Sequence, residues 1–171
     1  FSACEQSVLP HLPKDILVSE VKEATKELGI KPKNLILHKF SVRTFNSFRQ
    51  EILEILIELR NKINPDLVFI PSINDVHQDH MTVANEAVRA FKFTNILSYE
   101  MPWNNFSFET TAFITLSNSD LDTKISALKK YKSQEHRPYA NENFIRSLAT
   151  VRGTQIGKNY ADGFEIIRLI I

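Results

Sequence analysis

The feature that most constrains the fold is Leu67-Val68-Phe69-Ile70, a continuous apolar run closed off at both ends. Asn64-Pro65-Asp66 breaks whatever precedes it and Pro71-Ser72 ends it, so the run is too short for a helix. Apolar residues that do not alternate with polar ones need cover on both faces, which is the condition of a strand inside a parallel sheet. Helical patterns flank it. Phe45 to Lys62 is rich in Ile, Leu and Glu, and Met81 to Phe91 spaces Val83, Ala84, Ala87, Val88 and Phe91 at helical intervals.

The same alternation extends along the chain. Lys14 to Leu28 predicts a helix through Ile16, Leu17, Val21, Ala24 and Leu28, with Gly29 as its stop. Leu35 to Phe40 predicts a strand, as do Asn95 to Tyr99 and Thr110 to Leu116. Leu121 to Tyr131 reads as a helix capped by Ser119-Asp120, Asn143 to Val151 as the last helix and Phe164 to Ile171 as the last strand. Strands separated by helices imply crossover connections, so the class is α/β, expected as a Rossmann-like three-layer α/β/α domain with a mostly parallel sheet. No repeat or long linker divides residues 1–171, which are read as one domain.

Charge narrows the partners. With 21 Lys+Arg against 20 Asp+Glu, the net charge of +1 gives no field that would collect nucleic acid or an anionic membrane. No apolar run approaches the roughly 20 residues that span a bilayer, so no membrane insertion is expected. A lone cysteine, Cys4, excludes an internal disulfide and a multi-cysteine zinc cluster, and the expected compartment is the cytoplasm.

Ligands of an open parallel sheet bind beyond the carboxyl ends of its strands. The loop after Ile70 lies there and holds Asp75, His77, Asp79 and His80. Histidine and carboxylate suit catalytic zinc, which takes three protein ligands and a water, and this loop alone falls short of a convincing set. His77 and His80 could both bind one metal. For amide cleavage one imidazole is more useful off the metal, stabilising the oxyanion or protonating the amine, with an Asp holding its tautomer. The bland alternative makes His77 and Asp79 solvated loop residues and His80 a helix cap. His11, His38 and His136 have no partner in sequence and are assigned to surface or core.

The run Pro65 to Ser72, followed by Asp75-Val76-His77-Gln78-Asp79-His80, resembles the second motif of the LmbE-like, or PIG-L, family of zinc-dependent N-deacetylases. Arg152-Gly153, Gly157 and Tyr160-Ala161-Asp162-Gly163-Phe164 resemble its closing motif, where Glu more often stands at the place of Asp162. The resemblance implies that His80 ligates metal, that His77 polarises the carbonyl or protonates the departing amine, and that Asp79 orients His77. Gln78 stands where the family commonly has Pro. The implied reaction removes an acetyl group from an N-acetylated amino sugar, free, nucleotide-linked or otherwise conjugated.

The family's first motif, His-Pro-Asp-Asp-Glu, does not occur, and Phe1 to Glu5 resembles the end of its second strand. The expectation is a chain lacking its first strand and helix, with impaired activity. Two further zinc ligands and the carboxylate that activates water would come from that segment. Bared sheet edges would need cover, for instance from a second copy in a homo-oligomer. A single histidine ligand also suits iron, cobalt or manganese. The alternative reading is a non-catalytic carbohydrate-binding or assembly module. A metal-free nucleotide-sugar enzyme finds no support, because the four glycines include no G-x-G-x-x-G.

Four further residues are candidates for substrate contact. Trp103 would stack on a sugar ring or be buried in its loop. Arg43 would bind a phosphate or carboxylate or form a surface ion pair. Arg152 and Tyr160 would reach the substrate, or the closing segment would pack the C-terminus with Tyr160 in the core.

Overall fold

In the computed structural model, which describes residues 1–171, the chain runs α1 (Ile16–Glu27), α2 (Arg49–Ile63), β1 (Leu67–Pro71), α3 (Gln78–Ala90) and β2 (Asn95–Tyr99). It continues through β3 (Ala112–Thr115), α4 (Asn118–Leu128), α5 (Glu142–Gln155) and β4 (Ala161–Arg168). It divides into two units, residues 1–42 with 115–162, and residues 43–114 with 163–171.

The second unit carries the sheet, in the order β1-β2-β4-β3. Asn64 ends α2 in a left-handed conformation (φ 47°), its N–H returning to the Arg60 carbonyl, and Pro65 prevents the helix from resuming. β1 then pairs in parallel with β2, Val68 beside Ile96 and Ile70 beside Ser98. α2 buries Ile52, Leu53 and Leu56, and α3 buries Ala84, Ala87 and Ala90, small residues that let the two helices approach closely. Glu86 on α3 is fully buried and is met by Arg49 at 2.6 Å and Arg89 at 2.5 Å. The last carbonyls of α3 are covered by Arg60 on the Ala90 oxygen (2.6 Å) and Arg168 on that of Phe91 (2.9 Å), cations where the helix dipole favours them.

The first unit is helical. Its core is Leu121, Ile125, Ile145 and Ala149, with Leu116, Leu128, Phe144 and Tyr160 packed around it. α1 lies on α4, and its buried Glu20 accepts hydrogen bonds from the Ser133 N–H (2.9 Å) and hydroxyl (2.6 Å). α5 holds Gly153, where an added Cβ would lie 2.7 Å from backbone atoms of Lys158, Asn159 and Tyr160 as the chain doubles back.

The α/β class holds, with three differences. Leu35 to Phe40 forms no strand, because no neighbouring strand takes up its N–H and C=O groups. The sheet is not mostly parallel. β4 runs antiparallel to β2, with an irregularity between Ile96 and Leu97, and the bonds from Thr111 to Phe164 and from Leu116 to Tyr160 set β3 against β4 in opposite senses. α4 begins earlier than Ser119-Asp120 suggested, because Ser117 and Asp120 form a reciprocal capping box.

Candidate functional site

The loop between β1 and α3 is folded by its own polar side chains. Ser72, 1% exposed, accepts the Asn74 N–H at its hydroxyl (3.1 Å) and the Asp75 N–H at its carbonyl (3.2 Å). Val76 N–H reaches the Asn104 carbonyl at 3.1 Å, tying the loop to the turn after β2. Asp75, 2% exposed, uses both oxygens: Oδ1 accepts the His77 N–H at 2.7 Å and Oδ2 meets His80 Nδ1 at 2.9 Å. His77 is the N-cap of α3, its Nδ1 accepting the Asp79 N–H at 3.2 Å. The His77 and His80 rings stack, centroids 4.5 Å apart and planes 20° from parallel.

Asp79 faces elsewhere. Only 4% exposed, it accepts the Arg43 N–H at Oδ2 (2.5 Å) and the Phe45 N–H at Oδ1 (3.2 Å), while Gln78 Nε2 donates to the Arg43 carbonyl (2.9 Å). These bonds hold Arg43 at a left-handed φ of 68°, a conformation costly for a residue with a Cβ. The Asp79 carboxylate thus anchors the segment at 43–45, and its backbone N–H, rather than its carboxylate, bonds the His77 ring. The carboxylate–imidazole pair is Asp75 with His80. Asp75 is among the four loop residues named from the sequence but carries no assigned role there, although Asp two residues before His77 is the pattern of an Asx-turn, in which the side chain takes the N–H two residues on.

Tyr99 closes β2 on the same side. Its phenol is pushed up to about 12, chiefly by burial and then by the negative charge of Asp75, so it remains an O–H donor at neutral pH.

No three His, Cys, Asp or Glu side chains come together to hold a metal ion. The two imidazoles give at most two nitrogens, and catalytic zinc takes three protein ligands, so these residues do not fit that site by themselves. Arg43 is exposed, in the segment that the Asp79 carboxylate anchors. Trp103 is 39% exposed, in the turn whose next residue, Asn104, bonds the loop. Arg152 and Tyr160 belong to the other unit. There Arg152 donates to Gln155 at 3.0 Å, Tyr160 packs on the helical core, and Asp162 is held by Lys124 at 2.7 and 2.9 Å. His11 and His136 are exposed and His38 is half-buried.

Comparison with known proteins bears out the resemblance read from the sequence. The profile of the PIG-L family, described as GlcNAc-PI de-N-acetylase, matches residues 12–91, a stretch that includes Arg43 and the whole site loop. No curated protein matches by sequence. Among solved structures, the N,N'-diacetylchitobiose deacetylase from Pyrococcus horikoshii is similar at 20% identity and a TM-score of 0.72, over 90% of this chain and 64% of that one. GalB, the 4-carboxy-2-hydroxymuconate hydratase from Pseudomonas putida, has 16% identity and a TM-score of 0.72, over 95% and 77%. The zinc-inhibited form of the teicoplanin deacetylase Orf2 has 14% identity and a TM-score of 0.68, over 88% and 73%. At these identities the likeness is one of fold.

Proposed function

We propose, from the PIG-L family match over residues 12–91, that this chain contributes the imidazole half of a hydrolase site that removes the acetyl group from an N-acetylated amino sugar or its conjugate. Fold alone does not choose this reaction, since a hydratase and a deacetylase share it equally closely. The observation that carries the reading is the pair of stacked imidazoles, His77 and His80, at the end of a parallel strand and the start of a helix. Water adds to the acetyl carbonyl, the C–N bond breaks, and acetate and a free amine result.

In this reaction His77, with Nδ1 occupied by the Asp79 N–H, directs its Nε2–H at the acetyl oxygen and stabilises the negative charge that develops there, while a proton of the added water passes to the leaving nitrogen. His80 is the one residue assigned to a metal. Zinc would need two further protein ligands beside it, and no step is assigned to it. Arg43 and Trp103 are the substrate contacts that fit best, an exposed guanidinium and a half-exposed indole in the same unit as the site. Arg152 and Tyr160 remain part of the reading through the closing motif. No helix is long and apolar enough to cross a membrane, and a cytoplasmic location is proposed on the single cysteine, Cys4.

The test is amine release from N-acetylated amino sugars, free and nucleotide-linked, by the protein expressed from its full reading frame with zinc supplied. Activity that His77→Ala lowers by about 100-fold or more supports the reading. No turnover of any such amide by the folded protein sinks it. The half-exposed indole of Trp103, in the turn bonded to the site loop, favours a second reading, a non-catalytic carbohydrate-binding module. That reading predicts sugar binding by calorimetry without turnover, and no zinc binding at micromolar concentrations.

A further inference from the structure

We propose that Asp75 is a positioning residue that makes the two stacked imidazoles chemically opposite, a hydrogen-bond donor at His77 and a free lone pair at His80. The inference rests on the site proposed above, but its geometry stands alone. A backbone N–H can only donate, so His77 Nδ1, which takes the Asp79 N–H at 3.2 Å, must present its lone pair. The neutral ring then carries its proton on Nε2. A carboxylate can only accept, so His80 Nδ1, 2.9 Å from Asp75 Oδ2, must carry its proton, and Nε2 is left bare. Asn104 Nδ2 also approaches His80 Nδ1, but at 3.4 Å it is well beyond the carboxylate contact and does not decide the tautomer.

Asp75 has little freedom to do otherwise. It is 2% exposed, and Oδ1 is held by the His77 N–H at 2.7 Å, which fixes the direction of Oδ2. One carboxylate therefore sets the backbone entering His77 and the ring state of His80 together. The stacked ring of His77, 4.5 Å away, takes its tautomer from the Asp79 N–H, so Asp75 is what sets His80 opposite to it.

A bare lone pair at His80 Nε2 is what metal coordination needs, and an Nε2–H at His77 is what a carbonyl oxygen meets, so one buried carboxylate keeps the two roles of the proposed site apart.

The experiment uses the 171-residue chain labelled with 15N-histidine, and long-range 1H–15N correlation spectra at mildly alkaline pH, where imidazoles are neutral. The expected result is the Nε2–H tautomer for His77 and the Nδ1–H tautomer for His80. In Asp75→Asn, Oδ1 keeps the His77 N–H and Nδ2 turns toward His80, which should switch to Nε2–H while His77 stays unchanged. A merely structural role would not reverse one ring and spare its neighbour. His80 found as Nε2–H in the unsubstituted chain, or in one tautomer in both proteins, overturns the proposal. If the variant fails to fold, the tautomer of His80 in the unsubstituted chain decides by itself. Expected tautomers in a protein that releases no amine would refute the deacetylase reading and leave this inference standing. Where there is activity, Asp75→Asn should lower kcat by about 10-fold or more with KM little changed.

Discussion

Removing the Asp79 carboxylate should cost the protein far more than a loop substitution normally does. Asp79→Ala strips the acceptors from two backbone N–H groups, those of Arg43 and Phe45. Phe45 is only 5% exposed, and a buried donor that loses its acceptor costs about 1–3 kcal/mol. Arg43 is exposed and can be resolvated, which limits its share to about 1 kcal/mol. The expected loss is about 2–4 kcal/mol, with Asp79→Asn intermediate because its amide keeps one acceptor and turns a donor toward the other N–H. Urea unfolding followed by the fluorescence of Trp103, the only tryptophan, and by far-UV circular dichroism measures it as a fall in midpoint at constant slope. A loss below about 1 kcal/mol, or equal losses for Ala and Asn, refutes the reasoning. The His77 tautomer should survive Asp79→Ala, because its partner is the backbone N–H. A changed tautomer would restore the carboxylate–His77 pairing expected from the sequence.

Other perturbations probe the frame around the site. The Tyr99 phenol, raised above its unfolded value, is protonated in the folded protein over a window where the unfolded chain has released the proton, so stability should fall as pH rises from about 10 toward about 12. Absorbance titration should show that late tyrosine, and Tyr99→Phe should remove both it and its part of the alkaline loss. Glu86→Ala empties the fully buried partner of Arg49 and Arg89, and should cost about 2–3 kcal/mol in urea unfolding; since both arginines are more than half exposed, Glu86→Met should recover most of it. Gly153→Ala drives a Cβ to 2.7 Å from three backbone atoms, so the turn after α5 must shift, at a cost of about 1–3 kcal/mol by the same measurement. A thermal midpoint unchanged by Gly153→Ala would contradict that close approach.

The elements around the site were legible because their signals are local. Asn64-Pro65 and Pro71-Ser72 punctuate β1, and the alanine-rich face of α3 is a helical period. The segment Leu35 to Phe40 has the same apolar character as β1, yet strand formation depends on a partner that is often distant in sequence, and here no strand lies beside it. The sense of β4 was hidden for a related reason. A strand running either way presents the same side chains, and its direction follows from how the chain returns through α4 and α5. At α4 two candidate caps competed, and Ser117 prevailed over Ser119 because Asp120 stands three residues after Ser117 and returns the bond.

At the site, the residue types were readable and their pairing was not. Asp79 stands two residues after His77, and in an extended loop that spacing can make neighbours. In the first turn of a helix it does not, since residues two apart face different directions whereas residues three apart share a face. His77 at the N-cap and His80 three residues on are thus stacked, and the Asp79 carboxylate is turned toward Arg43 and Phe45. Asp75 lies outside the helix and follows turn geometry. Its Asx-turn to the His77 N–H leaves one oxygen free, directed at the first turn of α3, where His80 stands. A helix boundary displaced by a few residues therefore exchanges the acid that holds an imidazole for the acid that holds the neighbouring backbone. Here the helix begins at Gln78, ahead of the apolar spacing that starts at Met81, and that places Asp79 inside the helix and Asp75 beside His80.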